Sequence, residues 1–406
     1  MIKRLLSTNQ FDLPFLIHFT RTVKEIKDTA EKDVGGVSLL TEVLRGKMIG
    51  KFFWPPSSRT FHQFSVAGQK LGAGGDSERG LRKEVVENGK KRTIWELPFS
   101  SELKDAFFED EVYAWASAYD ILVLRHFEEG HVARAARYLD SFEKSTHVIN
   151  AGDGKGQHPS QALIDLLTIL IRFNVDLERT RDRLRDLTIA FIGDNRTART
   201  VHSNAPLLGM LGMKIKFISL PELSYPVNRL AELDALNVRY EFRDTLDHAD
   251  IFYVTRPHFV DYDDYGPEES ERIIGEYMAR FAITQEVLLR HYPQLVIDPF
   301  PRSKRGEIPI WLPDVPSTHQ VSIDRMPQAG YYQQMDYGVL ARMAILKMIA
   351  APHVRLKDLY DARWKSSYTR QCICGRVDNS VFGWSENPQP PHLFLPKVVE
   401  CSFCKI

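Results

Sequence analysis

The chain of 406 residues is short of cysteine: only four occur, and all fall in the last 35 residues. A disulfide framework is therefore excluded for everything before them. Net charge is also missing, since 53 Lys+Arg balance 53 Asp+Glu. That balance argues against a nucleic-acid-binding protein, which carries a basic excess or stripe. No apolar run reaches the roughly 20 residues that a membrane span needs. The N-terminal stretch MIKRLLSTNQFDLPF lacks the long apolar core and the small-residue cleavage site of a signal peptide. A soluble, cytoplasmic protein is expected, with no nucleic-acid and no membrane partner. The length suggests roughly two to three domains. With 43% hydrophobic residues the chain can bury full cores.

What is present is alternation of strand and helix. The runs 47–54, 119–127, 146–152, 187–193, 214–220, 249–255 and 295–300 read as strands. Most are continuously apolar, as in strands buried on both faces of a parallel sheet. Helical spacing lies between them: Phe64, Ala67 and Leu71; Ala162, Leu163, Leu166, Leu167 and Leu170; Val201, Ala205, Leu208 and Leu211. The expectation is an α/β fold with two doubly wound parallel-sheet domains linked by long helices. The first boundary is placed near 174. Two stretches break the alternation. Residues 73–99, rich in Gly and charge, read as a surface insertion that could form a hairpin. Residues 365–406 read as a small appended module.

In open parallel sheets, ligands bind beyond the carboxyl ends of the strands. Here those ends deliver Ser57-Ser58-Arg59-Thr60, Arg125, His158 with Gln161, Arg199, Arg256 with His258, and Pro301-Arg302. Taken singly, an arginine after a strand is usually solvated and a His before Pro is usually structural. Together, five arginines on one rim call for anionic ligands, because buried charge needs a partner. The stretch WPPSSRTF adds three hydroxyls and an arginine where a helix starts, beside backbone N–H groups that lack partners. That is a phosphate site without a glycine loop; the plainer alternative is an N-cap beside a solvated arginine.

These residues resemble the aspartate/ornithine carbamoyltransferase family, and within it the aspartate enzymes. SSRT (57–60) is similar to the family's Ser-Thr-Arg-Thr, and HPSQ (158–161) to its His-Pro-Thr-Gln. GDNRTARTVHS (193–203), VTR (254–256), DPFPR (298–302) and YYQQMDYGVLARMAIL (331–346) follow in family order. The resemblance spans roughly 5–352. It implies a carbamoyl phosphate-binding domain over 1–174, an aspartate-binding domain over 175–330, and helices over 331–364 that pack back on the first domain. It implies that Ser57, Ser58, Arg59 and Thr60 hold the phosphate, and that Arg125, His158 and Gln161 hold the carbamoyl group. It implies Arg59, Arg125, His158 and Lys104 as catalytic, and Arg199, Arg256, His258, Phe300 and Pro301 on the aspartate side. Ser100 and Lys104 match a loop that the family takes from a neighbouring subunit, which implies at least a homotrimer with shared active sites. The reaction implied is carbamoyl transfer from carbamoyl phosphate to aspartate, in pyrimidine biosynthesis, with no catalytic cofactor. Departures occur at Asp298 and Phe300, where the family has His and Leu, and at His258, where it has Gln. These leave two alternatives: another amine acceptor, or a non-catalytic paralogue with an assembly role.

The cysteines form two knuckles, Cys372-Ile-Cys374 and Cys401-Ser-Phe-Cys404, 26 residues apart. That pattern fits a four-cysteine structural zinc site, against buried unpaired thiols; His392 is a spare donor. The tail resembles the zinc domain of a separate regulatory chain, here joined to the catalytic one. It implies a structural or assembly role and no nucleotide allostery within the chain.

Overall fold

The computed structural model describes residues 2–32, 39–87, 90–261 and 265–359. The chain divides into two compact units, Met1–Pro352 and His353–Ile406. In the second unit the described residues make one helical turn over 356–359. Cys372, Cys374, Cys401 and Cys404 lie outside the described residues.

The first unit holds two five-stranded parallel sheets. The first sheet contains β1 (Arg4–Leu5), β2 (Met48–Phe53), β3 (Gly74–Arg79), β6 (Ile121–His126) and β7 (His147–Asp153), in the order β1-β7-β6-β2-β3. The second contains β8 (Thr188–Gly193), β9 (Lys214–Ile218), β10 (Tyr240–Arg243), β11 (Ile251–Thr255) and β12 (Leu295–Ile297), in the order β10-β9-β8-β11-β12. Between β3 and β6, an antiparallel hairpin pairs β4 (Leu81–Glu87) with β5 (Lys90–Glu96). The helices are α1 (Leu13–Lys32), α2 (Ser58–Lys70), α3 (Phe108–Ala118), α4 (His131–Ser141), α5 (Pro159–Arg172), α6 (Arg199–Met210), α7 (Leu230–Ala235), α8 (Pro267–Phe281), α9 (Gln285–His291) and α10 (Tyr331–Ala350). Among the described residues, no helix is long and apolar enough to cross a membrane.

All seven strand readings correspond to strands, because continuous apolar runs are what a sheet covered on both faces selects. Every residue of β6 and β11 is buried. In the first sheet Phe52, Leu122 and Leu124 pack against Val132, Ala136 and Leu139 of α4. In the second, Phe252 and Val254 pack against Ile273, Tyr277 and Phe281 of α8. Three strands went unread. β1 spans two residues and β10, YEFR, is short and half-polar. β3 is GGDSER, assigned from its sequence to the insertion at 73–99. It pairs with β2 on one side only. Edge strands of this kind carry charge, which blocks pairing with another chain. The run at 295–300 is a strand only as far as Ile297.

The helix α5 is buried along nearly its whole length, and α10 packs against α1, α2 and α5. Where α5, α6, β11 and α10 meet, Asp165 is fully buried. It accepts hydrogen bonds from Gln161 Nε2 (2.8 Å), Gln334 Nε2 (2.6 Å), Asn204 Nδ2 (2.7 Å) and the Tyr253 hydroxyl (2.9 Å). Four donors on one carboxylate tie together elements that carry both sheets.

Candidate active site

The carboxyl ends of β2, β6, β7, β8, β11 and β12 open on one cleft of about 1050 Å³. Twelve of the residues singled out in the sequence line it: Ser57, Ser58, Arg59, Thr60, Arg125, His158, Gln161, Arg199, Arg256, His258, Phe300 and Pro301. Its lining carries seven cations (Arg59, Arg82, Arg125, Lys155, Arg199, Arg256, Arg342) against two carboxylates (Glu128, Asp298). The excess fits anionic ligands.

At the start of α2, Ser57 occupies the N-cap position but its side chain makes no capping bond. Its hydroxyl instead donates to Thr60 Oγ1 at 3.2 Å. The first-turn N–H groups thus take no side-chain cap from Ser57 and stay available at the positive end of the helix dipole. Arg59 follows, its pKa lowered chiefly by burial, with Arg256 acting in the same direction and Asp298 opposing both. Its guanidinium lies 5.9 Å from the centre of the Phe300 ring.

Arg125 is the penultimate residue of β6, where the register with β7 shifts. Its Nε donates to Pro55 O and its Nη1 to Ala151 O, both at 3.1 Å. These two carbonyls fix the plane of the guanidinium. Gly152, at φ +111°, lies between two arginines: a Cβ there would be 2.9 Å from Arg125 Nη1 and 3.0 Å from Arg199 Nε. Arg199 also donates to Gly154 O at 2.9 Å.

His158 is the N-cap residue of α5, with its N–H donating to Ser203 Oγ at 2.7 Å. Burial, then Arg125, Arg199 and Arg342, hold its pKa far below the usual range, so the ring is neutral. Ser160 Oγ lies 3.4 Å from Nδ1; a tautomer with the proton on Nε2 accepts there. Asp298 is 2% exposed. Burial, reinforced by Glu307, raises its pKa to about 7, against the pull of the Phe300 N–H, Arg302 and Arg59.

Three residues singled out in the sequence lie outside the cleft of this chain, Ser100 and Lys104 being those implied for a neighbouring copy. Ser100 and Lys104 do not line it; Ser100 is buried beside Leu97, and Lys104 is exposed at the end of a 3-10 turn, Ser101–Lys104. Arg302, counted with the rim arginines, turns away into a buried ion pair with Asp324. It also donates to the Tyr332 hydroxyl at 3.0 Å. Asp324 lies on a loop 22 residues away, so no local pattern disclosed the pair. Arg342, Lys155 and Arg82 went unread as site residues. Arg342 sits in an apolar helix that reads as core, where burial lowers its pKa to about 9.

His126, Glu128 and His131 bring three donor atoms within 4.8 Å of one another near the mouth. The two imidazoles stack with centroids 4.2 Å apart and planes 6° from parallel. In-plane lone pairs of parallel rings do not converge on one ion. The Glu128 N–H donates to His126 Nδ1 at 3.0 Å, and burial lowers the pKa of His126 to about 3.

Residues 3–170 match the aspartate/ornithine carbamoyltransferase carbamoyl-P binding domain, and residues 185–349 match the Asp/Orn binding domain of the same family. The chain belongs to the aspartate/ornithine carbamoyltransferase family. Among relatives in this family, an aspartate carbamoyltransferase catalytic subunit of Methanopyrus kandleri is 34% identical over 312 residues, covering 75% of this chain and 85% of the relative. That of Archaeoglobus fulgidus is 31% identical over 350 residues, 86% and 99% of the two chains. The solved catalytic subunit of M. jannaschii aspartate transcarbamoylase is 28% identical, with a TM-score of 0.62 over 86% of this chain and 98% of that one. A Trypanosoma cruzi aspartate transcarbamoylase, solved with carbamoyl aspartate and phosphate, is 25% identical, with a TM-score of 0.61 over 86% and 96%. The carbamoyltransferase fold thus accounts for both sheets and for the cleft that they share.

Proposed function

We propose that the chain transfers the carbamoyl group of carbamoyl phosphate to the amine of L-aspartate, releasing N-carbamoyl-L-aspartate and phosphate. The observation that carries this is the single cleft in which the amide-bearing start of α2, Arg125, neutral His158, Arg199 and Arg256 meet. The relatives named aspartate carbamoyltransferase support the choice of aspartate.

In this reading, Ser57, Ser58, Arg59 and Thr60 hold the phosphate on the first turn of α2. Arg125 is held flat by its two backbone carbonyls and polarises the carbonyl oxygen together with His158. A neutral imidazole donates one hydrogen bond without competing for the anion. Gln161, anchored on Asp165, positions the carbamoyl amide. Arg199 and Arg256 take the two carboxylates of aspartate, with His258, Phe300 and Pro301 shaping that side. The amine attacks the carbonyl carbon, and the oxyanion that forms is met by Arg59, Arg125 and His158. The bond to the phosphate oxygen then breaks, and the departing phosphate takes the amine proton. No cofactor enters these steps; positioning and charge supply the rate.

The proposal includes a homotrimer in which a neighbouring copy supplies Ser100 and Lys104. Supporting it, large apolar side chains flank that loop in the isolated chain: Phe99 is 90% and Phe107 74% exposed. It includes a structural zinc on Cys372, Cys374, Cys401 and Cys404, and a cytoplasmic location. A second reading, a different acceptor amine, is favoured by Asp298, Phe300 and His258 at the acceptor side. Incubating the purified protein with carbamoyl phosphate and aspartate tests the first reading: carbamoyl aspartate and phosphate should form in equal amounts. No product, with carbamoyl phosphate still bound, would sink it.

A further inference from the structure

We propose that the β4–β5 hairpin is part of the active site of its own chain, and that Arg82 is a further cation for the phosphate of carbamoyl phosphate. This rests on the reading under Proposed function. It concerns a segment to which the motifs assign no role.

The hairpin's register fixes which side chains share a face. Arg82 pairs with Trp95, and Glu84 with Thr93. Side chains alternate along a strand, and directly paired residues share a face. Arg82, Glu84, Thr93 and Trp95 therefore project on one side. Arg82, Thr93 and Trp95 line the cleft, whereas Leu81, Lys83, Ile94 and Glu96 of the other face do not. Three side chains of one face of the hairpin, and not one stray side chain, form the wall.

Both roots of the hairpin are fixed beside the phosphate end. β3 runs parallel to β2 with Arg79 level with Phe53. The next residue, Gly80, donates its N–H to Phe53 O at 2.8 Å. A Cβ at Gly80 would lie 2.2 Å from Trp54 O, so only glycine allows this approach. The hairpin thus leaves the sheet against the strand that leads into Pro55–Thr60. The Arg79 guanidinium lies 4.8 Å from the centre of the Phe61 ring on α2. At the other root, Leu97 is buried among Phe52, Trp54 and Leu124, with Trp95 packed on the same cluster. Arg199 and Arg256 come from the second sheet, so the hairpin joins the phosphate side of the cleft.

The chemistry suits an anion. The Arg82 side chain is 58% exposed, with Nη2 3.6 Å from Glu84 Oε1 and 3.2 Å from Thr93 Oγ1. An exposed pair of this kind contributes little, so the guanidinium can exchange it for a phosphate, which it grips through two parallel N–H bonds.

Titration calorimetry of carbamoyl phosphate into the full chain, without aspartate, tests this. Arg82→Ala should bind about tenfold or more weakly, within the range of hydrogen bonds to charged groups. Arg82→Lys should regain part of the loss, and Lys83→Ala, on the outer face, should bind as the wild type does. Unchanged affinity in Arg82→Ala overturns the inference. So does an equal loss in Arg82→Ala and Lys83→Ala with a lower molar mass in sedimentation, which makes the hairpin a contact between copies. If the wild type itself fails to bind carbamoyl phosphate, the reading under Proposed function falls and takes this inference with it.

Discussion

Gly152 and Asp298 set how charge is held in the cleft, and each yields a measurable consequence. Gly152→Ala forces a Cβ at φ +111° against the guanidinium groups of Arg125 and Arg199. The backbone penalty alone is about 1–2 kcal/mol, and both arginines must shift. KM for carbamoyl phosphate and for aspartate should rise together, with turnover down at least tenfold; a change in one KM alone would contradict the shared position of Gly152. Asp298 is neutral below about pH 7 and charged above it. Its charge acts on Arg59, so carbamoyl phosphate affinity should fall as pH rises through about 7. Asp298→Asn should flatten that trend, compared with the wild type at each pH because the ligand's own phosphate also ionises. The polar residues legible in the sequence were those at strand ends. Arg342 was not, because a charge inside an apolar helix gives no sign of the cleft beneath it. Arg302 was overread, because its partner Asp324 is distant in sequence.

At the scale of elements, α5 and its neighbours depend on one carboxylate. Asp165→Ala leaves Gln161, Gln334, Asn204 and Tyr253 without their shared acceptor. Unmet buried donors cost about 1–3 kcal/mol each where they cannot find new partners. Urea unfolding should show a loss of at least about 3 kcal/mol, with a weaker hold on the carbamoyl group through Gln161. The neutral histidines give the fold an acid limb. His126 titrates near 3 in the fold and near 6.5 unfolded, and His158 is likewise depressed. The unfolded chain therefore binds more protons below about pH 6.5, and stability falls as pH drops through that window toward the folded values. Each histidine contributes a slope of up to about 1.4 kcal/mol per pH unit. The urea midpoint should drop between pH 7 and 5, and His126→Phe should reduce the slope. Seven strands across the two sheets were legible because burial on both faces writes a continuous apolar run, whereas the two-residue β1 and the half-polar β10 write none. β3 was not, since an edge strand succeeds by being polar, and its role shows only through its register with β2.

For the whole molecule, the alternation of strand and helix and the order of motifs were enough to anticipate two parallel sheets around one cleft. What the sequence could not specify was which side of the hairpin faces that cleft, because this depends on where Gly80 and Leu97 fix its roots. The cysteine knuckles lie outside the described residues; metal analysis of purified protein should find close to one zinc per chain, and none after metal-replete expression would remove that proposal. The central claim concerns the acceptor. It is tested most directly by giving the protein carbamoyl phosphate with an equimolar mixture of amino acids and identifying every carbamoylated product by mass. The account predicts N-carbamoyl-aspartate in the wild type and its loss in Arg199→Ala. A different carbamoylated amine, or none while carbamoyl phosphate still binds, would contradict it.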